Sequence, residues 1–187
     1  MKEISLSLTL LSNTIIGSGE GYGAIIDTDV VFDEYGIPYI PSRRIKGCLR
    51  DSANQICYYL DMKKDKTANE YPIVEEIFGT GFKESLFAVS NLYLSDYENL
   101  RDWLRYLTIN NPDIYSRDSV ISNFTSIRQQ TAIEDGVAKK NSLRTIRCLD
   151  KGLTFYGKIE LSSEREEILE LLYLSAINLK HLGTKRN

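Results

Sequence analysis

One histidine, one tryptophan, four prolines and three cysteines are all that this 187-residue chain holds of those types. A single histidine, His181, argues against histidine-based acid–base chemistry, triads and histidine-rich metal centres. His181 falls near the end of a predicted helix, where a cation helps the helix C-terminus. Cys48, Cys57 and Cys148 are odd in number and show no C-x-x-C spacing, so neither a disulfide framework nor a zinc signature is present. They read as small buried hydrophobes of a reducing compartment. No segment approaches the roughly 20 apolar residues that span a bilayer, and MKEISLSLTL has neither an apolar run nor a cleavage site. A soluble, cytoplasmic protein is expected, with no membrane partner. Repeats and low-complexity tracts are absent. Positive charge is also in deficit: 23 Lys and Arg against 26 Asp and Glu give a net charge of -3.

What is present is ordinary globular material, 42% hydrophobic and 26% charged, enough for one substantial core. A single domain over residues 1–187 is expected, with 97–150 as an insertion. Residues 4–10 alternate strictly, Ile4, Leu6, Leu8 and Leu10 against Ser5, Ser7 and Thr9, which predicts a half-buried strand. The Gly-rich GSGEGYG that follows is G-x-G-x-G-x-G and fits no nucleotide-binding fingerprint, so it reads as a loop. A helix is predicted from Ser42 to about Leu60, with Ser42 as N-cap and Ile45, Leu49, Ile56 and Leu60 as its apolar stripe.

A strand over 86–94 follows, then a partly helical aromatic segment, YENLRDWLRYL. EDGVAKKNS next signals a hairpin or protruding loop, and 153–161 a further alternating strand. Ser163 and Glu166 match a capping box, opening a helix to about Leu182 that Gly183 closes. The order is that of an α+β, ferredoxin-like or RNA-recognition-type β-α-β-β-α-(β) core whose last strand is not found. Either residues 25–32 supply that strand, or the chain lacks it.

Against the acidic background, IPYIPSRRIKGCLRD stands out. It places four cations between Arg43 and Arg50 with no carboxylate among them. Helical geometry puts Arg43, Lys46 and Arg50 within about 60° of one another, opposite Ile45 and Leu49 and beside Gly47. Such a face suits phosphates; it is also what any solvated helix face can look like. Arg128, Lys139, Lys140, Arg144, Arg147 and Lys151 concentrate charge along the predicted hairpin, either for a nucleic-acid strand or as an ordinary charged loop. Lys185 and Arg186 are a phosphate-contacting loop or a frayed terminus. Asp27 and Asp29, two apart on one side of a strand, suit a divalent metal or salt bridges to nearby arginines.

Taken in order, IDTDVVFDEYGIPYIPSRRIKGCLRD, IFG at 77–79, FAVSNLYLSD, the 128–161 segment and LGTKRN resemble the RAMP superfamily of type III CRISPR effector complexes. The resemblance implies an RNA-recognition-type core that holds CRISPR RNA among other effector subunits in antiviral defence, with target RNA a further partner. Arg43, Arg44, Lys46, Gly47 and Arg50 match the family's guide-facing helix start. Residues 128–147 match its thumb hairpin. Asp27, then Asp29, match the position at which backbone subunits cut target RNA with Mg2+. The DTDVVFDE form looks more like the subunit that caps the guide's 5′ handle, where no cofactor is expected. A metal-dependent endoribonuclease and a protein-only adaptor are the rival readings. Because the family's glycine loop continues into a last strand, the chain is expected to be a short variant or the N-terminal part of a longer protein.

Overall fold

In a computed structural model, residues 2–18, 25–60 and 71–182 are described. The chain divides into two units, the first formed by Met1–Leu6, Pro41–Leu92 and Tyr156–His181, the second by Ser7–Ile40, Tyr93–Phe155 and Leu182–Asn187. Each is built of helices and antiparallel strands. One sheet has the order β1 (Lys2–Thr9), β9 (Thr154–Leu161), β4 (Leu92–Leu94), β2 (Tyr39–Ile40), and β3 (Phe87–Val89) also pairs with β9. The alternation read for β1 and β9 holds in their burial: Ile4, Leu6 and Leu8 turn inward, as do Phe155, Ile159 and Leu161.

In the first unit, α1 (Ser42–Tyr59) buries Ile45, Leu49, Ser52, Ala53 and Cys57. The stripe therefore runs through Ala53 and Cys57; the expected Leu60 is exposed and Ile56 only half-buried. Its partner is α5 (Glu166–Asn178), tied to it by polar contacts as well as apolar ones. The Ser52 hydroxyl donates to the Ser175 carbonyl at 2.8 Å, and the Asn178 amide donates to Ser52 Oγ and Gln55 Oε1. Pro41, not Ser42, is the N-cap, because its extended backbone aims its carbonyl at the N–H groups of Arg44 and Ile45. The Ser42 N–H donates instead to Asn91 Oδ1 at 2.8 Å.

That use of Asn91 explains a second departure. The single strand expected over 86–94 breaks into β3 and β4, since Ser90 and Asn91 spend their side chains elsewhere. Ser90 Oγ accepts from the Lys158 N–H and donates to the Asn91 carbonyl. Opposite them Gly157 is obligatory, for a Cβ there would lie 2.9 Å from Leu92 Cγ and Ser90 Oγ. The expected capping box at Ser163 is not formed either: Ser163 Oγ accepts from Arg165 N–H at 3.3 Å, one residue early, and Arg165 becomes the N-cap. A capping box closes instead at α4 (Arg117–Ser122), between Ser116 and Ser119, where serine replaces the Glu or Gln that would flag it in the sequence. Helix α5 ends at Asn178 rather than Leu182, leaving exposed His181 past its end. Gly183 lies outside the described residues. Cys57 and Cys148 are buried thiols and Cys48 a half-buried one, all free.

The second unit holds α3 (Tyr97–Asn110) and α4 over a core of Ile37, Leu104 and Val120. Residues 25–32, considered as a final strand, make only isolated bridges: Val30 to Gly17, Thr28 to Ile146 and Phe32 to Pro38. They do not complete the sheet. The turn after them is fixed by Asp33, whose Oδ1 accepts from the N–H groups of Tyr35 and Ile37 and whose Oδ2 accepts from the Tyr97 hydroxyl at 3.0 Å. Gly36 sits at φ 89°, with the Arg117 carbonyl 2.4 Å from where a Cβ would stand, so no other residue fits. β5 (Thr125–Gln130) pairs with β8 (Arg144–Leu149), and β6 (Ile133–Glu134) with β7 (Val137–Ala138), across an Asp135–Gly136 turn with both φ positive. That is the two-residue hairpin an Asp-Gly pair favours, so the EDG signal marks a hairpin.

Burial and the Asp33 hydrogen bond push the Tyr97 phenol up from 10.0 to about 12. A raised phenol pKa favours the neutral form in the folded state. The stabilisation is therefore complete below pH 10 and is lost as pH rises toward 12. Tyr97→Phe is expected to flatten the fall in unfolding free energy over that window, measured by urea unfolding at stepped pH. An unchanged slope would contradict the Asp33–Tyr97 coupling.

Candidate nucleic-acid interface

The cations of α1 lie where the helical arithmetic puts them. Arg43 is exposed, Arg44, Lys46 and Arg50 are half-buried, and all four are carried on a helix whose other face is locked into the core. Burial, then the neighbouring Arg50 guanidinium, lowers the Lys46 ammonium pKa from its ordinary value. Lys46 Nζ also lies 5.2 Å from the Phe87 ring centroid. Gly47 is exposed, and a Cβ on it would meet nothing within 4 Å. A mid-helix glycine costs about 1 kcal/mol relative to alanine, and no packing requires this one. What the missing side chain leaves is a bare stretch of helix backbone between cations.

The hairpin of the second unit divides its arginines by strand parity. Arg128 stands opposite Ile146 and Gln130 opposite Arg144, so Arg128 and Arg144 share a face. Both are exposed, as are Lys139 and Lys140, with Lys139 Nζ 3.2 Å from Glu134. Arg147 falls on the opposite face and is buried. Its Nη1 donates to both Asp29 carboxylate oxygens at 3.2 and 3.3 Å, and Asp29 Oδ1 also accepts from the Val30 N–H. Among the arginines and lysines expected to meet a ligand, Arg147 is thus committed to an internal ion pair. Lys185 and Arg186 lie outside the described residues.

Asp27 and Asp29 do not share a face, because the segment is pinned by isolated bridges rather than laid in a regular ladder. Asp29 is 3% exposed, whereas Asp27 is open to solvent, with Oδ2 accepting from the Thr145 N–H at 2.7 Å. Among the described residues no group of three His, Cys, Asp or Glu side chains is placed to hold a metal. Nor is any described helix long and apolar enough to cross a membrane.

One feature the sequence reading missed is the loop after α2 (Pro72–Phe78). Together with Lys46 and Arg50 of α1, residues 79–81 and 83–85 line an open cleft of about 570 Å³, and Phe82 projects fully exposed from the same loop. Only the GTGF composition, an aromatic among glycines, hinted at it.

Two substitutions separate scaffold from surface. Arg147→Ala leaves Asp29 buried and unpaired, and is expected to cost about 3–5 kcal/mol of unfolding free energy. Gly47→Ala is expected to stabilise by up to about 1 kcal/mol. Urea denaturation measures both; a neutral Arg147→Ala, or a destabilising Gly47→Ala, would contradict these assignments.

Comparison with known proteins bears on this geometry. No curated protein sequence matches the chain. Among solved structures, a chain of a type III-B Cmr-β complex bound to cognate target RNA, determined by cryo-EM, superposes with a TM-score of 0.62 at 18% identity, over 98% of this chain and 55% of that one. A chain of the type III-B Cmr-β complex in its apo state gives a TM-score of 0.62 at 12% identity, over 98% of this chain and 92% of that one. These likenesses establish the shared fold. A family model described as the RAMP superfamily matches residues 7–187, nearly the full length: the chain belongs to the RAMP superfamily.

Proposed function

We propose that this chain is an RNA-binding subunit of a type III CRISPR effector complex, in which the α1 face and the 125–149 hairpin grip the sugar-phosphate backbone of the guide. The observation that carries the reading is α1. Arg43, Lys46 and Arg50 line a face set against a wholly buried one, beside a glycine that no packing explains, in a chain that is otherwise acidic. Phosphate contacts position a nucleic acid without reading its sequence, which suits a subunit that must accept many guides. The exposed hairpin cations Arg128, Lys139, Lys140 and Arg144 supply a second phosphate-contacting surface. Arg147 in this reading anchors the hairpin. Membership of the RAMP superfamily and the Cmr-β likeness favour guide RNA and fellow effector subunits as the partners.

The strand order β1-β9-β4 follows the 1-3-2 neighbourhood of a ferredoxin-like sheet, and α1 and α5 are its two helices. Residues 97–150 act as the inserted thumb.

A second reading, cleavage of target RNA at Asp27, is favoured by one observation: Asp27 remains open to solvent while Asp29 is consumed by Arg147. Mg2+ binds through one or two carboxylates together with substrate phosphates, so Asp27 alone would need RNA oxygens to complete a site. Binding without cleavage is therefore the main reading.

Two measurements test these. Filter binding of single-stranded guide RNA to the assembled complex, repeated across salt, is expected to give a linear log–log dependence. Each of Arg43→Gln, Lys46→Gln and Arg50→Gln should make that slope shallower by about 0.7. A slope indifferent to all three would overturn the α1 assignment. Asp27→Ala is expected to leave guide binding unchanged; any target cleavage by the wild-type complex that survives Asp27→Ala would eliminate the second reading.

A further inference from the structure

Phe82 is the most exposed large apolar side chain among the described residues, at 106% relative accessibility, yet its loop is tightly built. Thr80 Oγ1 accepts from the N–H groups of both Phe82 and Lys83, and the Thr80 N–H donates to the Lys83 carbonyl at 2.8 Å. At the loop's entry Gly79 has φ 79°, and a Cβ there would stand 2.7 Å from the Lys83 carbonyl, so the turn admits no larger residue. At its exit the Leu86 N–H and the Ser85 hydroxyl both donate to the Ile77 carbonyl. A bare phenyl ring held out to water by this many hydrogen bonds has no role in the core, since it touches none of it. A single exposed apolar side chain is ordinary in itself; what sets this one apart is the ordered loop that holds the ring and the charged cleft beside it.

The surroundings say which contact. Gly81 and Lys83, on either side of Phe82, line the cleft that Lys46 and Arg50 enter from α1. Glu75 and Glu84 line it too, so among the described residues the cleft carries Lys46, Arg50 and Lys83 beside two carboxylates. An aromatic ring beside clustered cations is the pattern that holds single-stranded nucleic acid, because every base offers a π-face and every linkage a charge. A protein partner would be met by apolar neighbours around Phe82. The lining next to it is glycine, threonine, serine and charge instead, and its one aromatic, Phe78, is buried in the core.

We infer that the 79–85 loop is a nucleotide-binding element in which one unpaired RNA base stacks on Phe82 while its phosphate enters the Lys46–Arg50 cleft. The inference rests on the RNA-binding reading above and adds to it a place where the RNA strand is splayed and one base is held.

The test uses the assembled complex and single-stranded RNA carrying 2-aminopurine at successive positions, a base whose fluorescence is quenched when it stacks on an aromatic. Phe82 is fully exposed, so its substitution leaves the fold in place. Wild type and Phe82→Trp are expected to quench one position strongly. Phe82→Ala and Phe82→Leu should abolish that quenching and weaken affinity roughly tenfold, without altering the salt slope. Lys46→Gln should instead make the slope shallower. Equal affinity and quenching across the Phe82 variants, with the Lys46 effect intact, would overturn the stacking inference alone. Wild type failing to bind RNA would overturn the RNA-binding reading, and the inference with it. Loss of a co-purifying protein subunit on Phe82→Ala, with RNA affinity unchanged, would assign the ring to a protein contact and likewise overturn it.

Discussion

Everything proposed for the first unit depends on how α1 is fastened. Its inner face, Ile45, Leu49, Ala53 and Cys57, is desolvated completely. The buried Ser52 and Ser175 are satisfied by each other's neighbourhood: Ser52 donates to the Ser175 carbonyl, and Ser175 to that of Leu171. Buried polar groups lacking such partners would cost about 1–3 kcal/mol each. Satisfied, they fix rotation as well as contact, because sliding or turning the helix breaks them. A helix held in one rotation presents one outer face. The cations at 43, 46 and 50 are therefore a fixed array, and the entropy of aligning them is spent in folding rather than in binding.

The second unit solves a related problem with charge. A two-stranded hairpin alone is marginal in water, and β5–β8 is steadied at its base by Ile146, Cys148 and Leu149 and by the Asp29–Arg147 pair. Such a pair is weak evidence for net stability, since desolvation offsets attraction, but it is specific: removing either partner strands a buried charge. Beyond the pair the hairpin is exposed on both sides. Its free end shows Ile133 and Val137 to solvent among charged side chains of both signs, a composition suited to contact rather than to a core.

Much of this was legible in the sequence, for reasons that can be named. The alternation of β1 and β9, the cationic arc of α1 and the Asp135–Gly136 hairpin all follow from local periodicity or turn chemistry. These act over a few residues and override little. The failures come where a distant partner decides. Ser42 yields the N-cap to Pro41, whose carbonyl takes the Arg44 and Ile45 N–H groups, while Asn91, the partner of the Ser42 N–H, sits where the expected strand divides into β3 and β4. Ser163 loses its capping box to a bond one residue short, while the real box at Ser116 uses a serine the motif does not contain. For the site, charge clustering could place Arg147 on the hairpin but could not show strand parity turning it inward to Asp29. The Phe82 loop carried no periodic signal, because its shape is made by Thr80 and by backbone bonds to Ile77.

The central claim is that RNA lies against the outer face of α1. Crosslinking tests it most directly: the assembled complex is loaded with guide RNA containing 4-thiouridine, irradiated, digested, and its crosslinked peptides identified by mass spectrometry. Crosslinks within residues 42–50, diminished when Arg43, Lys46 and Arg50 are replaced together by glutamine, are the predicted result. Efficient crosslinking of the loaded RNA to other segments of this chain, with none in 42–50, would contradict it.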